Sequence, residues 1–262
     1  NTRFLMYLLI LFLTYFLWAT TPLDKVTLQL QWKHQFEFAG FYAAKEKGFY
    51  KDVGLDVTIK EYSKDSPPVE SVLNKKAEYA VSYSSIIIDY LQGKPLVFLA
   101  NFFKQSPLAI VVQPEIKQPQ QLVGKKVMGN FSGIDGISLQ MIFRQFDVDP
   151  NTFFHVDSSY NIYAFANREV DAMSVFTTNE LFLLQEHAIK YNLFDPTVYG
   201  VEFYDINLFT SKNELKQHPG RAKRFRDASI KGWQYALENQ SEIIQLILNK
   251  YNTQNKTYDM LE

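Results

Sequence analysis

From residue 25 onward the period of the apolar positions changes again and again. "KVTLQLQW" (25–32) alternates as a strand does, "EFAGFYAAKEKGFY" (37–50) has helical spacing, and "GLDVTIKEY" (54–62) alternates once more. Gly48 is placed to stop the helix. Strand, helix and strand in that order predict a right-handed βαβ unit. "SPPVESVLNKKA" (66–77) opens on a Ser and Pro pair suited to a helix start. "EYAVSYS" (78–84) reads as a strand, "SIIIDYLQGK" (85–94) as a helix closed by Gly93, and "PLVFLANFF" (95–103) as another strand. The alternation predicts a mostly parallel sheet with helices on both faces.

The strand-like "SPLAIVVQP" (106–114) then leads away, and a new strand, glycine loop and helix begin in "EIKQPQQLVGKKVMGNFSGIDGISLQMIFRQF" (115–146). The β/α pattern continues through "DAMSVF" (171–176) and the helical "NELFLLQEHAIKY" (179–191), and "YGVEFYDINLFTSK" (199–212) is extended again. A long helical tail is expected from Glu214 to Tyr251, with Gly220 and Gly232 as interruptions. The restart predicts two α/β lobes joined by extended crossings near Gln105 and near Asp205. Residues 22–105 and 206–262 then form lobe 1, and residues 106–205 form lobe 2. A ligand is expected between the lobes, because α/β sheets bind at the carboxyl ends of their strands and clefts favour domain interfaces.

The first 21 residues differ in kind. "FLMYLLILFLTYFLW" (4–18) carries no charge and follows Arg3. Its length suits a secretory signal and is short for a spanning helix, which needs about 20 apolar residues. Export is therefore expected, with a cleaved signal or an uncleaved membrane anchor as the two outcomes. The chain starts with Asn1 and ends on "NKYNTQNKTYDMLE", which suggests a trimmed front and a continuation into a stalk.

Composition narrows the chemistry. The 262 residues are 47% hydrophobic, enough for buried cores. Lys and Arg number 27 against 28 Asp and Glu, so no global field attracts nucleic acid. There is no cysteine, hence no disulfide framework and no thiolate chemistry. The four histidines, His34, His155, His187 and His218, fall in no metal spacing, and neither GxSxG nor GxxxxGK[ST] occurs. "MGNFSGIDG" (128–136) sets glycines between a strand and a helix, where backbone N–H groups can meet a polar ligand or simply form a turn. The basic cluster from Lys212 to Arg226 is interrupted by Glu214 and reads as a solvated helix face.

Aromatics make up 16% of the chain, and five of them, together with His34, crowd between Trp32 and Tyr42. Rings at that density fill cores or line a pocket for a planar guest. Trp32, Phe38 and Tyr42 are expected as one wall of a cleft, with His34 beside them.

The order "LQW…FAGFYAAKEKGFYKDVGLDV", "AVSYSS", "MGNFSGIDG", "DAMSVFTTNE" and "FYDINLFTS" resembles the thiamine-precursor branch of the ABC-transporter substrate-binding proteins, kin of the nitrate, sulfonate and taurine binders. It is also similar to periplasmic sensor modules that precede a membrane helix and a signalling domain. The resemblance spans about residues 26 to 250. It implies a two-lobed Venus-flytrap fold and binding of a pyrimidine related to 4-amino-5-hydroxymethyl-2-methylpyrimidine, with an ABC permease or a membrane signalling domain as partner. No cofactor, metal or nucleic acid is expected. An exocyclic amine needs an acceptor, which Glu180 or Asp205 could supply with Asn179 fixing orientation. Asn179 or Thr178 serves equally as a helix N-cap with Glu180 in the first turn. Tyr83, Ser84, Ser132, Gly133, Asp135 and Tyr204 complete the expected ligand contacts. Eukaryotic members act as single-turnover pyrimidine synthases with pyridoxal phosphate and iron, but carry a cysteine-rich motif that this chain lacks. An anion receptor of the sulfonate type is the third reading, and it requires more cationic groups than Lys33 and His34 provide.

Overall fold

The computed structural model describes residues 22–129, 131, 136–159 and 161–261. The apolar run 4–18 and the expected contacts Ser132, Gly133 and Asp135 lie outside the described residues.

Two five-stranded sheets organise the chain. The first contains β1 (Asp24–Gln29), β2 (Leu55–Lys60), β3 (Tyr79–Ser82) and β4 (Leu96–Phe103). The second contains β5 (Leu108–Val112), β6 (Lys126–Met128), β7 (Phe154–Val156), β8 (Ala172–Phe176) and β9 (Asn192–Phe194). The last strand, β10 (Asp205–Ser211), returns to the first sheet, giving the orders β2-β1-β3-β10-β4 and β7-β6-β8-β5-β9. The chain thus builds two α/β lobes, one around each sheet.

Helical crossovers make β1 parallel to β2 and β3, and β6 parallel to β7 and β8. The strands that follow a crossing between lobes run the other way. β10 lies antiparallel between β3 and β4, and β5 antiparallel between β8 and β9. The sheets are thus mixed rather than mostly parallel, because a strand arriving from the other lobe enters from the opposite end of the sheet.

Burial follows position. β2, at an edge, buries Leu55, Val57 and Ile59 and exposes Asp56, Thr58 and Lys60. β3 and β10 are interior and buried along their whole length. The helix Ala39–Glu46 is enclosed on nearly every side, by the first sheet and by the tail helix Pro219–Glu238.

The tail forms three helices, Lys212–Gln217, Pro219–Glu238 and Gln240–Lys250. Gly232 does not interrupt the middle one, which runs unbroken through it. Its role is close approach: a Cβ at Gly232 would stand 2.1 Å from the Gly40 carbonyl oxygen, and a Cβ at Gly40 would stand 2.1 Å from Trp233 Cγ. The breaks fall instead at His218, ahead of Pro219, and at Asn239. Phe225 stacks on Tyr79 at 4.0 Å and on Tyr50 at 5.0 Å between centroids, locking the middle helix to the lobe. The arginines of the basic cluster are ion-paired: Arg221 donates twice to Glu214 at 2.8 Å, Arg224 reaches Asp24 at 2.7 Å, and Arg226 reaches Asp227 at 2.7 Å.

Beyond the last helix the chain folds back across the hinge side. Tyr251 stacks on Tyr42 at 4.2 Å, Gln254 Nε2 donates to the His34 carbonyl at 2.8 Å, and Lys256 Nζ donates to Asn179 of the second lobe. Among the described residues no helix is long and apolar enough to cross a membrane.

Candidate functional site

A cavity of about 460 Å³ opens between the two sheets. Its position follows from the topology, since residues at or just beyond the carboxyl ends of β1, β2, β3, β7 and β8 converge there. Gln31 and Trp32 follow β1, Tyr62 follows β2, and Ser82 and Tyr83 end β3. The second lobe contributes Ser158, Ser174, Phe176 and Leu108. The volume lies in the range of small-molecule sites.

Two ring pairs shape the walls. Trp32 and Tyr62 stack at 6.0 Å and 21°, and the Tyr62 N–H donates to the Trp32 carbonyl at 3.0 Å, which fixes both segments. Tyr83 of the first lobe and Phe176 of the second stand 6.1 Å apart at 19°, so this pair spans the cleft. Such faces suit a flat, apolar guest.

The charged residues in the wall are Glu70 and Asp89, and no Lys, Arg or His lines the cavity among the described residues. Both carboxylates share one cation, Lys94, at 3.1 and 2.7 Å.

Behind Gln31 lies a buried acidic pair. Gln31 Nε2 donates to Asp205 Oδ1 at 2.8 Å and approaches Glu37 Oε1 at 3.4 Å. Asp205 also accepts from Ser106 Oγ at 3.0 Å and from the Ile206 N–H at 2.7 Å. Burial, and then the charge of Asp205, push the Glu37 carboxyl up to about 8. Burial raises Asp205 to about 6, against the opposing hydrogen bonds from Gln31, Ile206 and Ser106. Ile206, a β-branched residue, holds φ at 51°, which side chains of that shape avoid. Local strain therefore sits at the return crossing, beside the site.

The structure brings only part of the expected set to this cavity. Trp32 and Tyr83 line it. Phe38 and Tyr42 do not: both are fully buried in the core of the first lobe, because the helix that carries them is covered by the tail as well as by the sheet. His34 is also buried away from the cavity, 2.9 Å through Nδ1 from the Tyr42 hydroxyl, and burial lowers its pKa. Ser84 donates to the Tyr204 carbonyl, and both residues border an apolar groove of about 620 Å³ on the first lobe and a small cavity shared with Tyr83 and Leu108, rather than the main cavity.

Glu180 and Asn179 likewise stand outside the cavity lining. Glu180 is buried, and its Oε2 accepts from the Phe176 N–H at 2.8 Å while Oε1 accepts from Asn179 Nδ2 at 2.7 Å. The carboxylate thus ties the end of β8 to the start of the helix Glu180–Glu186. Asn179 occupies the N-cap position without making a side-chain cap bond. Asp205 acts from behind, through Gln31. Sequence reasoning missed Gln31, Tyr62, Ser158 and Phe176, although each lies at or just past a strand's carboxyl end.

The NMT1/THI5-like family model matches residues 35–243. The chain belongs to that family. One relative is the formylaminopyrimidine-binding protein of Halalkalibacterium halodurans, 23% identical over 240 residues, covering 89% of this chain and 72% of that protein. Another, from Haemophilus influenzae and named for thiamine biosynthesis, is 26% identical over 201 residues, covering 73% of this chain and 63% of its own length. Among solved structures, the aliphatic sulphonate-binding protein SsuA of Escherichia coli aligns with a TM-score of 0.71 at 13% identity, covering 90% of this chain and 81% of that one. The alkanesulfonate-binding protein SsuA of Xanthomonas axonopodis pv. citri, bound to MOPS, gives 0.70 at 10% identity, with 92% and 83% covered. These structural likenesses establish the fold. The NMT1/THI5-like chain thus shares its architecture with solved sulfonate-binding proteins and with a ligand-binding component of an ABC-type import system, and the one of these two relatives named by ligand is a binding protein.

Proposed function

We propose that this chain is an exported solute receptor whose interlobe cavity takes a neutral, planar heteroaromatic ligand of the thiamine-pyrimidine class. The observation that carries the reading is the pairing of aromatic walls with a lining that offers two carboxylates and no cation among the described residues. A sulfonate or nitrate would find no cationic side chain in the wall, among the described residues, to pair with its charge. The formylaminopyrimidine named for one relative supports the same ligand class. The protein acts by binding rather than by chemistry. Bound ligand is either delivered to an ABC permease or reported to a membrane signalling domain, and lobe closure is the event that either partner would read.

Calorimetric titration tests the reading. The protein should bind 4-amino-5-hydroxymethyl-2-methylpyrimidine or its formylamino counterpart and not an alkanesulfonate. Trp32→Ala should lower that affinity by about 1–3 kcal/mol, through the lost stacking face and its burial. Tight sulfonate binding with no pyrimidine binding would reverse the assignment.

A further inference from the structure

Two residues of the cavity wall each carry a buried polar atom without a partner among the described residues. Gln31 is 3% exposed, and its Oε1 is buried with no hydrogen bond among the described residues, although the other end of the amide is fully engaged. Ser158 Oγ, on the opposite lobe, is likewise buried and unsatisfied. Both residues line the cavity. A buried acceptor left unpaired is costly, and native structures keep such groups where something else completes them.

The orientation of the Gln31 amide is determined by its surroundings. Its NH₂ end faces the carboxyl groups of Asp205 and Glu37, at 2.8 and 3.4 Å. Turning the amide over would set its oxygen against the Asp205 carboxylate. Asp205 in turn is pinned by Ser106 Oγ and by the Ile206 N–H, so the whole chain of groups is held from the crossing strand. The amide oxygen of this cavity-lining residue is left as a buried, unpaired acceptor, next in the chain to Trp32 and its stacked partner Tyr62.

We propose that Gln31 selects the ligand: its amide oxygen, oriented by Asp205, accepts an exocyclic N–H of a ring stacked against Trp32, while Ser158 supplies a second polar contact from the other lobe. This rests on the heteroaromatic reading of the cavity and specifies what the heterocycle must carry. The amine acceptor is an amide on the first lobe, with the acidic side chains one step behind it. Because the two unpaired atoms belong to different lobes, one ligand that satisfies both also holds the lobes together.

The experiment compares three ligands by titration: 4-amino-5-hydroxymethyl-2-methylpyrimidine, the same compound without its 4-amino group, and its 4-dimethylamino form, which keeps the nitrogen but has no N–H. The wild-type protein should prefer the amino compound over both others by about tenfold or more. Gln31→Met, which preserves bulk and removes the acceptor, should bring that ratio to within about twofold by weakening only the amino compound. Ser158→Ala should weaken all three alike and leave the ratio intact. An unchanged ratio in Gln31→Met, or equal wild-type affinity for the three compounds, overturns the role of Gln31 while leaving the ligand class standing. A wild-type protein that binds none of the three overturns the ligand class and this proposal with it. Should Gln31→Met fail to fold, the dimethylamino compound decides with wild-type protein alone, since binding as tight as the amino compound would exclude an N–H contact.

Discussion

Two glycines on one helix should respond to the same substitution in opposite directions. Gly220 and Gly232 both lie in Pro219–Glu238. At Gly232 an added Cβ would stand 2.1 Å from the Gly40 carbonyl oxygen, 2.6 Å from Ala44 Cβ and 2.8 Å from the Ala44 nitrogen. Two of these three atoms are backbone and the third is a Cβ, so no rotamer change relieves the overlap. The helices must separate, and separation loosens Trp233 from Phe41 and Phe102, its ring neighbours at 6.0 and 5.4 Å. Overpacking of this kind costs about 1–3 kcal/mol, and backbone contact favours the upper end. Nothing lies within 4 Å of a Cβ at Gly220, where Ala should add up to about 1 kcal/mol through helix propensity. Urea denaturation followed by circular dichroism reads both. The midpoint should fall for Gly232→Ala and hold or rise for Gly220→Ala. Equal stability of Gly232→Ala and wild type would refute the close-approach account.

Glu180→Gln should cost about 1–3 kcal/mol of stability at neutral pH, since the amide turns a donor toward either the Phe176 N–H or Asn179 Nδ2, both donors to Glu180. Chemical denaturation checks this, and a variant of normal stability with weakened ligand binding would return Glu180 to the ligand site. Stability should also depend on pH through Glu37. Its carboxyl is protonated in the fold up to about 8 and ionised in the unfolded chain above the ordinary Glu value near 4.5. The folded state therefore binds the extra proton, and stability falls as pH rises through that interval and levels off above it. Asp205, raised to about 6, contributes the lower part, and His34, lowered from 6.5 by burial, acts with the opposite sign up to that value, so the window from about pH 7 to 8 reports Glu37. Melting temperature should decline across that window in wild type and stay flat in Glu37→Gln, and an equal decline in both would remove Glu37 as the source.

The alternation of periods made the two α/β lobes legible, because each helix and strand in it announces itself within about ten residues. Gly48 was readable too, and it adopts the left-handed φ of 82° that a helix stop of this kind uses. The site was legible only where the carboxyl-end rule applies directly, at Trp32 and Tyr83. Phe38 and Tyr42 look like a wall in the sequence, since nothing local says that a helix nearly 200 residues later will cover them. Tyr42 is covered by Tyr251, and Trp233 of the tail packs into the same core beside Gly40 and Phe41. Glu180 sits one turn too far along: β8 ends at Phe176, and that residue faces the cavity. Gln31 gave no signal, because a glutamine at a strand end is ordinary until its amide is seen between two buried carboxyl groups.

The interior place of β10 sets an order for biosynthesis. Its pairing with β3 joins Asn207 to Ser82, Nδ2 of the one bonding the other's carbonyl across 125 residues of chain. The strands of the second sheet, by contrast, all lie between Leu108 and Phe194. As the polypeptide emerges, that second sheet has every partner it needs while the first still lacks one of its inner strands. Until residues 205–211 arrive, β3 and β4 each present an unsatisfied edge, and β4 reads LVFLANFF, without a charge to deter pairing with another chain. Contacts of such long range form slowly. The nascent protein therefore passes through a period with one lobe formed and the other open, when association between chains competes with folding and a holding chaperone has most to do.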